Sequence, residues 1–324
     1  MALSLNENPF PPLPSVRAAI VGTIEAVNRY PEFLPERLRR VIAGHIGVGN
    51  EQVLIGAGAT GVVMQVLGAV ATPGDRIVMA QPTFDGYPIL AQMARLTSVT
   101  VPLDRHGHHD LDAMADAATQ ATVVVLCRPH NPSGTVESAT DVERFLSRVP
   151  TGTIVLLDEA YIEFVAPHLR LDTRDLIERF PNVVVVRTFS KAYGLAGIRT
   201  GYGFCAPDLA RSLWSMQMPF GTAITSLAAV AASYEAENHL QRRVRAIADE
   251  RRYLRSRLGA LGVVSSDSHA NFVYLPHRGR PWSDAFAATD LRVRSYSDGG
   301  IRITVGARTS SQAVLRAIVA SMQS

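Results

Sequence analysis

Residues 187 to 204 read RTFSKAYGLAGIRTGYGF, and they place one lysine, Lys191, shortly after a run of four valines at 183–186. The valine run predicts a buried strand, so the lysine is expected at the end of a strand, beside a turn of small residues. Burial there lowers the pKa of an amine, because the charged form loses its water. A neutral amine is a nucleophile that can form a Schiff base with an aldehyde. A loop lysine that reaches water is the alternative, and the stretch alone leaves both open.

The composition is that of a folded protein with a substantial core. Of the 324 residues, 47% are hydrophobic and 19% are charged, which fits one large domain and a smaller one. Lys and Arg outnumber Asp and Glu by only 32 to 29 and form no basic block, so we expect no nucleic-acid partner. No long apolar run or signal-like start predicts a membrane span or export. Cys127 and Cys205 form no CxxC pair, as expected in a reducing cytoplasm.

Short apolar runs rich in β-branched residues alternate with helical stretches. Because the apolarity is continuous, both faces of each strand are expected to be covered, which is typical of a mostly parallel α/β sheet. The predicted strands are QVLIG at 52–56, RIVMA at 76–80, VTVPL at 99–103, TVVVLC at 122–127, TIVLLD at 153–158 and VVVVRT at 183–188.

The pattern changes after about residue 220. An Arg- and Glu-rich helical stretch covers 234–258, and shorter strands are expected in HANFVYL at 269–275 and GIRITVG at 300–306. We therefore predict a linking helix and a smaller α+β domain. The predicted division is an N-terminal segment at 1–30, a large domain at 31–225 and the linking helix with the small domain at 226–324.

Polar groups follow several of the predicted strands, at the sheet edge where α/β proteins bind ligands. Asp158 ends TIVLLD, where a buried carboxylate needs a cation or a hydrogen-bond donor. Asn131 in HNPSG brings an amide, and Tyr161 brings a phenol. The loop GAGATG at 56–61 opens a helix whose free N–H groups suit a phosphate, although a plain tight turn is the alternative. An amine, a carboxylate, these donors and a phosphate cup are together what pyridoxal 5′-phosphate requires.

The stretch HGHHD at 106–110 raises the question of a metal site. It falls in a predicted turn between a strand and a helix, and no other ligand cluster accompanies it. We interpret these residues as surface histidines and predict no metal.

Eight blocks resemble, in the right order, the fold-type I aminotransferases that depend on pyridoxal 5′-phosphate. The blocks are NEN at 6–8, RYPE at 29–32, QPTF at 81–84, NPSG at 131–134, DEAYIEF at 158–164, RTFSKAYGLAGIRTGY at 187–202, ANFVYL at 270–275 and GIRITVGA at 300–307. The similarity spans nearly the whole chain and is strongest to the branch that contains histidinol-phosphate and aromatic amino acid (phenylalanine) aminotransferases. It implies an α/β fold with a mostly parallel seven-stranded sheet in the large domain.

The resemblance implies roles around the cofactor ring. Lys191 would be the Schiff-base lysine, and Asp158 would contact the ring nitrogen. Asn131 and Tyr161 would donate hydrogen bonds to the phenolate oxygen, and Phe84 would stack on the ring. For Phe84 a plain core position is the alternative.

The resemblance also implies a phosphate site. Ala59 and Thr60 in the cup, with Ser190 and Arg199, would bind the cofactor phosphate. Tyr30 would reach it from the neighbouring subunit of a homodimer, unless it is a surface turn residue before Pro31. Relatives commonly carry an acidic or polar residue in the cup where this chain reads GAGATG, so backbone N–H groups are expected to make most of the contacts here.

Two arginines are matched to the substrate. Arg302 in GIRITVG would bind the substrate α-carboxylate by a two-pronged hydrogen bond. Arg294 in RVRSY matches an arginine that helps to bind the substrate phosphate in histidinol-phosphate enzymes, and a solvated strand arginine is the alternative. Asn131 would also contact the substrate.

The expected function is amino transfer between histidinol phosphate or an aromatic amino acid and 2-oxoglutarate, by a cytoplasmic homodimer. The motifs leave the amino donor open. A decarboxylase or a specialised-metabolism transaminase that uses the same cofactor and fold is an alternative. A non-enzymatic module that senses pyridoxal phosphate is a more remote one.

Overall fold

The large domain is built on a seven-stranded sheet in the computed structural model, which describes residues 1–277, 279 and 282–323. The strands are β1 Val53–Gly56, β2 Arg76–Gln81, β3 Thr97–Pro102, β4 Val123–Cys127, β5 Ile154–Asp158, β6 Val183–Thr188 and β7 Gly201–Cys205. Their order across the sheet is β1-β7-β6-β5-β4-β2-β3. Only β7 runs against its neighbours, β1 and β6. The predicted mostly parallel seven-stranded α/β sheet is confirmed.

Helices cover both faces of this sheet, which explains why its strands are apolar throughout. One buried cluster fills the face under α3, α4 and α8, and a second cluster fills the opposite face and continues into the small domain. The helices are α1 Pro14–Val21, α2 Glu36–Ile46, α3 Gly58–Val70, α4 Gly86–Met93, α5 Leu111–Ala118, α6 Ala139–Arg148, α7 Thr173–Arg179, α8 Pro207–Trp214, α9 Ile224–Glu235, α10 Glu237–Ala260, α11 Asp284–Ala287 and α12 Arg308–Gln323. None of the helices in the described part is long and apolar enough to cross a bilayer.

The linking region contains the end of one helix and the whole of a second, where the sequence pattern predicts a single helical stretch. The helical stretch expected at 234–258 is α10, but the helix begins at Glu237, and residues 234–235 end the preceding helix α9. Ala236, with φ −97° and ψ 23°, separates the two helices.

The small domain carries a three-stranded antiparallel sheet in the order β8-β10-β9. Its strands are β8 Phe272–Leu275, β9 Arg294–Ser295 and β10 Ile301–Thr304. Arg302 pairs with Tyr274 on one side and with Arg294 on the other. Directly paired residues project to the same face of a sheet, so these three side chains share one face.

Residues 1–8, which we call the N-terminal strap, lie between the two domains. Ala2 bridges to Arg292, and the Leu3 N–H donates to the Arg292 carbonyl over 2.8 Å. The Thr304 N–H donates to the Leu3 carbonyl over 2.9 Å, and the Leu3 side chain is buried. The strap thus attaches to the small-domain sheet before it reaches the active-site region. The division of the chain at residues 30 and 225 stays a prediction.

The interpretation of HGHHD as surface histidines is wrong for His109. Its ring is buried, with Nδ1 2.8 Å from Glu137 Oε1, and it packs edge-on against the buried His130 at 4.4 Å. His106 is exposed and His108 is half-buried. Within 1–277, 279 and 282–323, no three His, Cys, Asp or Glu side chains are grouped to hold a metal ion.

Candidate active site

Lys191 follows the end of β6 and lies under the N-terminal strap. Its Nζ donates to the Leu5 carbonyl over 3.0 Å, and the Asn8 amide donates to the carbonyls of Lys191 and Ala192 over 3.1 and 2.8 Å. Burial, with the positive charge of Arg302 nearby, lowers the pKa of Lys191 to about 8. An appreciable fraction of the amine is therefore neutral near physiological pH, as a nucleophile requires.

Asp158 ends β5 at the same edge of the sheet and accepts one hydrogen bond on each oxygen. The Tyr87 hydroxyl donates a short bond to Oδ2, and the Ala160 N–H donates to Oδ1 over 2.9 Å. The Tyr87 ring in turn packs edge-on against Phe84, with ring centroids 5.3 Å apart. Burial raises the pKa of Asp158. A carboxylate in this setting gains from a cationic partner such as a protonated ring nitrogen.

Tyr161 and Asn131 meet beside Lys191. The Asn131 amide donates to Tyr161 Oη over 3.4 Å, and the Asn6 amide of the strap donates to the same oxygen over 2.9 Å. Lys191 Nζ lies 5.9 Å from the centre of the Tyr161 ring. Burial raises the pKa of Tyr161, so this phenol is neutral and can donate its hydrogen to an oxygen anion.

The loop at 56–61 forms the predicted helix start, because α3 begins at Gly58. No side chain caps the helix at Ala57, so its first N–H groups, which include those of Ala59 and Thr60, are left for a ligand. Thr60 Oγ1 also lies 3.4 Å from the Ala57 carbonyl. The positive end of an uncapped helix favours an anion.

Arg199 and Ser190 complete this anion site. Arg199 donates from Nη1 to Ser190 Oγ over 3.4 Å and from Nη2 to the Ala57 carbonyl over 3.1 Å. Gly58 has φ +75°, which strains other residues, and a Cβ there would lie 2.4 Å from Arg199 Nη2, so a larger residue would displace the guanidinium. A guanidinium and a positive helix end at one place repel each other unless an anion lies between them. The site therefore fits a phosphate.

Arg302 reaches from the small domain into the same region. Its Nη1 donates to Asn131 Oδ1 and, over 3.0 Å, to Tyr296 Oη, while Nη2 donates to the Ser4 carbonyl of the strap. The side chain is buried, and its Nε has no hydrogen-bond partner among the described residues. An unsatisfied buried guanidinium nitrogen gains from an incoming carboxylate.

The side chains of two further predicted residues are not hydrogen-bonded to these groups in the described part of the chain. Arg294 is half-exposed and forms an ion pair with Asp85, with 2.8 Å between Nη2 and Oδ1. Tyr30 is 82% exposed and packs on Phe220 at 4.8 Å between ring centroids. Nothing in the described part of the single chain brings Tyr30 to Lys191 or Arg199.

Known proteins match this chain along nearly its full length. The family model "Aminotransferase class I and II" matches residues 1–322. The chain belongs to this family. The aminotransferase is 41% identical over 319 residues to an aromatic amino acid aminotransferase of Cutibacterium acnes, covering 98% of this chain and 91% of the relative. It is 39% identical over 317 residues to one of Streptomyces coelicolor, covering 97% and 88%.

Solved structures agree with the fold. A histidinol-phosphate aminotransferase of Sinorhizobium meliloti in complex with pyridoxal-5′-phosphate superposes with a TM-score of 0.89 at 28% identity, covering 97% of this chain and 89% of that one. An L-threonine-O-3-phosphate decarboxylase of Porphyromonas gingivalis reaches 0.86 at 21% identity, covering 100% of both chains, and shares the fold alone. The predicted family, fold type I and dependence on pyridoxal phosphate are confirmed for the aminotransferase.

Three side chains of the site have no counterpart among the predicted residues: Tyr87, Asn6 and Tyr296. Tyr87 follows Phe84 by three residues in QPTFDGY, across a turn in which the Tyr87 N–H donates to the Phe84 carbonyl over 3.0 Å. Asn6 belongs to the NEN block, which carries the family resemblance but does not predict that the Asn6 side chain contacts Tyr161. No sequence signal singles out Tyr296.

Proposed function

We propose that the aminotransferase moves the amino group of an aromatic amino acid, such as phenylalanine or tyrosine, to a 2-oxo acid, with 2-oxoglutarate as the acceptor. The relatives at 39–41% identity, which are named aromatic amino acid aminotransferases, support an aromatic donor.

The observation that carries the choice of donor is the ion pair between Arg294 and Asp85. Arg294 is the residue matched to phosphate binding in the histidinol-phosphate branch, and here a carboxylate occupies it. A phosphate dianion at this place would have to displace Asp85 and would face its negative charge. An aromatic side chain carries no charge, so it needs no displacement of Asp85 and meets no repulsion from its carboxylate.

The residues at the sheet edge fit pyridoxal 5′-phosphate. When bound, this cofactor supplies an aldehyde that takes up the amino group and a ring that withdraws electrons from the substrate α-carbon. We assign Lys191 to the aldehyde, Asp158 to the ring nitrogen and Phe84 to the ring face. Tyr161 and Asn131 would contact the phenolate oxygen.

The uncapped start of α3 supports the assignment of the phosphate. Its N–H groups at Ala59 and Thr60, with Ser190 Oγ and the Arg199 guanidinium, would bind the phosphate oxygens. In a homodimer, Tyr30 of the second subunit would add a hydroxyl.

Lys191 would move the proton during amino transfer. Its amine, with a pKa of about 8, would take the proton from the substrate α-carbon and hold it at Nζ for return. Asp158 would keep the ring nitrogen protonated through this step, because an adjacent carboxylate favours the charged form.

Arg302 would hold the substrate by its α-carboxylate. The free Nε and the second hydrogen of Nη2, whose first hydrogen stays on the Ser4 carbonyl, would supply the two prongs. Its contact with Asn131 would keep the carboxylate next to the cofactor ring.

We also place the enzyme in the cytoplasm, since both cysteines are free thiols.

A substrate panel tests the proposal. Phenylalanine, tyrosine, histidine and histidinol phosphate are each assayed with 2-oxoglutarate, following glutamate and the product of the donor. We expect kcat/KM for phenylalanine and tyrosine to exceed that for histidinol phosphate by at least about tenfold, the effect of one unfavourable charge contact. A higher value for histidinol phosphate would contradict the aromatic assignment. Release of carbon dioxide without glutamate would contradict amino transfer.

A further inference from the structure

Asn6 is held in one orientation by the small domain. It is buried, and its φ of +55° lies in the left-handed region that asparagine tolerates better than most residues. Its N–H donates to Thr304 Oγ1 over 2.9 Å, and its carbonyl accepts from Asn271 Nδ2 over 2.9 Å. Both backbone groups of Asn6 are thus bonded to the small domain, and only its side chain contacts the large domain.

Thr304 also decides which end of the Asn6 amide meets Tyr161. Because Thr304 Oγ1 accepts from the Asn6 N–H, its own hydrogen is free to be donated to Asn6 Oδ1, 3.1 Å away. The amide oxygen is then bound to Thr304, and Nδ2 lies 2.9 Å from Tyr161 Oη. The Tyr161 oxygen must therefore accept from Asn6.

The direction of the Tyr161 hydrogen follows from this count of donors. A phenol has one hydrogen to donate and can accept hydrogen bonds on its oxygen. Both Asn6 and Asn131 direct amide hydrogens at that oxygen, at 2.9 and 3.4 Å. Neither amide nitrogen can accept the hydroxyl hydrogen, so it must go to a third partner. Lys191 Nζ lies over the same ring, 5.9 Å from its centre, so the cofactor that joins Lys191 would lie beside this phenol.

We propose that Asn6 is a positioning residue that, held by Thr304, turns the Tyr161 hydroxyl hydrogen toward the cofactor's phenolate oxygen. This inference rests on the proposed function, since it requires that oxygen beside Tyr161. Donation from Asn6 to the phenol oxygen also polarises the O–H bond and makes Tyr161 a stronger donor. A stronger bond to the phenolate oxygen lowers the proton affinity of the nitrogen that joins Lys191 to the cofactor. Asn6 of the strap thereby lowers the proton affinity of that nitrogen without contacting it.

The test is a pH titration of the visible absorption band of the holoenzyme, which reports the protonation of that nitrogen. Asn6→Ala removes the amide that donates to Tyr161, and Thr304→Val removes the hydroxyl that orients this amide. In each variant we expect the midpoint of the titration to rise by about half to one pH unit, the effect of one lost hydrogen bond. Thr304→Ser keeps the hydroxyl and is expected to titrate like the wild type. Tyr253→Phe, at a tyrosine of α10 that stacks on Arg308, serves as a control outside the site.

A second readout needs no cofactor. In apoenzyme with ¹³C-labelled tyrosine, assigned with Tyr161→Phe, the ζ-carbon signal of Tyr161 is expected to shift in Asn6→Ala and Thr304→Val but not in Thr304→Ser. Midpoints of Asn6→Ala and Thr304→Val equal to that of the wild type would overturn the inference and leave the proposed function standing. An equal shift in Thr304→Ser would also overturn it. Wild-type protein that binds no coloured cofactor would instead refute the proposed function.

Discussion

At the scale of single residues, the arginine of the site acts on the lysine. Both are held by consecutive carbonyls of the strap, Leu5 for Lys191 and Ser4 for Arg302. Burial lowers the pKa of the Lys191 amine, and repulsion from the Arg302 guanidinium lowers it further. Binding of a substrate carboxylate would neutralise Arg302 and allow the pKa of Lys191 to rise again.

The reactivity of Lys191 should follow this lowered pKa. Well below pH 8 the neutral fraction falls about tenfold per pH unit; it is about one half at pH 8 and about nine-tenths one unit higher. We expect the rate of cofactor binding by apoenzyme, trapped with borohydride and measured by mass spectrometry at Lys191, to rise with pH, pass its midpoint near pH 8 and level off about one unit above it. N-α-acetyl-lysine under the same conditions is the control and should keep rising to about pH 10. A protein curve that follows the control would contradict the lowered pKa.

Tyr87 should matter for turnover more than for substrate binding. Tyr87→Phe removes the donor to Asp158 Oδ2 and keeps the ring contact with Phe84. The carboxylate then loses one of two donors in a buried site, its proton affinity rises and it holds a ring cation less well. A bond to a charged group contributes about 1.5–3 kcal/mol, so we expect kcat to fall about 10- to 100-fold.

The amino-acid KM of the Tyr87→Phe variant should change less than about threefold, since Arg302 is untouched. Tyr253→Phe is the matched control, because Tyr253 of α10 stacks on Arg308 of α12 and donates no hydrogen bond to Asp158 among the described residues. Equal kcat values for Tyr87→Phe and the wild type would show that the Ala160 N–H alone suffices for Asp158.

These residue-level findings show what a sequence can predict about a site. Asp158 and Lys191 are recognisable because each follows an apolar strand, and parallel strands bring their ends together. Tyr87 and Asn6 act through side chains that meet partners 71 and 155 positions away. Local patterns contain no information about such pairs. His109 was assigned to the surface for the same reason, because its partner Glu137 lies 28 residues further along the chain.

At the scale of elements, the strands were predictable and the strap was not. The strands of the large sheet carry their own signal, since a continuous apolar run such as the four valines at 183–186 is typical of a sheet that is covered on both faces. The strap has no strand or helix pattern of its own. Its conformation is set by the edges that it crosses, Arg292 and Thr304 on one side and Lys191 on the other.

The strap should depend on one buried leucine. Leu3 is 4% exposed and Leu5 is 64% exposed. The same substitution at the two positions therefore compares the loss of a buried leucine with the loss of an exposed one. We expect Leu3→Ala to lower the free energy of unfolding by about 2–5 kcal/mol, the usual cost of a buried leucine, and Leu5→Ala to change it by about 0.5 kcal/mol or less. Urea unfolding followed by circular dichroism measures both.

Loss of the Leu3 anchor should also raise the amino-acid KM. The Ser4 carbonyl would no longer hold Arg302 in place, and the guanidinium would have to be ordered by each substrate. If Leu5→Ala were as destabilising as Leu3→Ala, Leu3 would not be the anchor of the strap.

At the scale of the whole molecule, an exposed aromatic patch indicates a partner. Tyr30, Phe33 and Phe220 are 82%, 59% and 44% exposed. Phe220 packs on the other two rings at 4.8 and 5.1 Å, and its N–H donates to the Phe33 carbonyl over 2.8 Å. The patch is therefore ordered within the chain and still open to solvent. Contiguous exposed apolar surface of this kind marks an interface.

We propose a homodimer in which Tyr30 crosses to the partner's phosphate site, which would account for the exposed patch. Such a site is shared, so two inactive variants should complement each other. Tyr30→Ala impairs the site of the partner, whereas Lys191→Ala inactivates its own. In a mixed dimer one site receives both defects and the other receives neither, because a two-fold interface exchanges the same residue in both directions.

Unfolding and refolding the two variants together in equal amounts should therefore restore activity to about a quarter of the wild-type value, as half of the dimers are mixed and each has one intact site. Each variant refolded alone is the control and should stay below this level. If Tyr30 acted within its own chain, a mixed dimer would contain no intact site and mixing would add nothing. An active monomer in light scattering would exclude the shared site altogether.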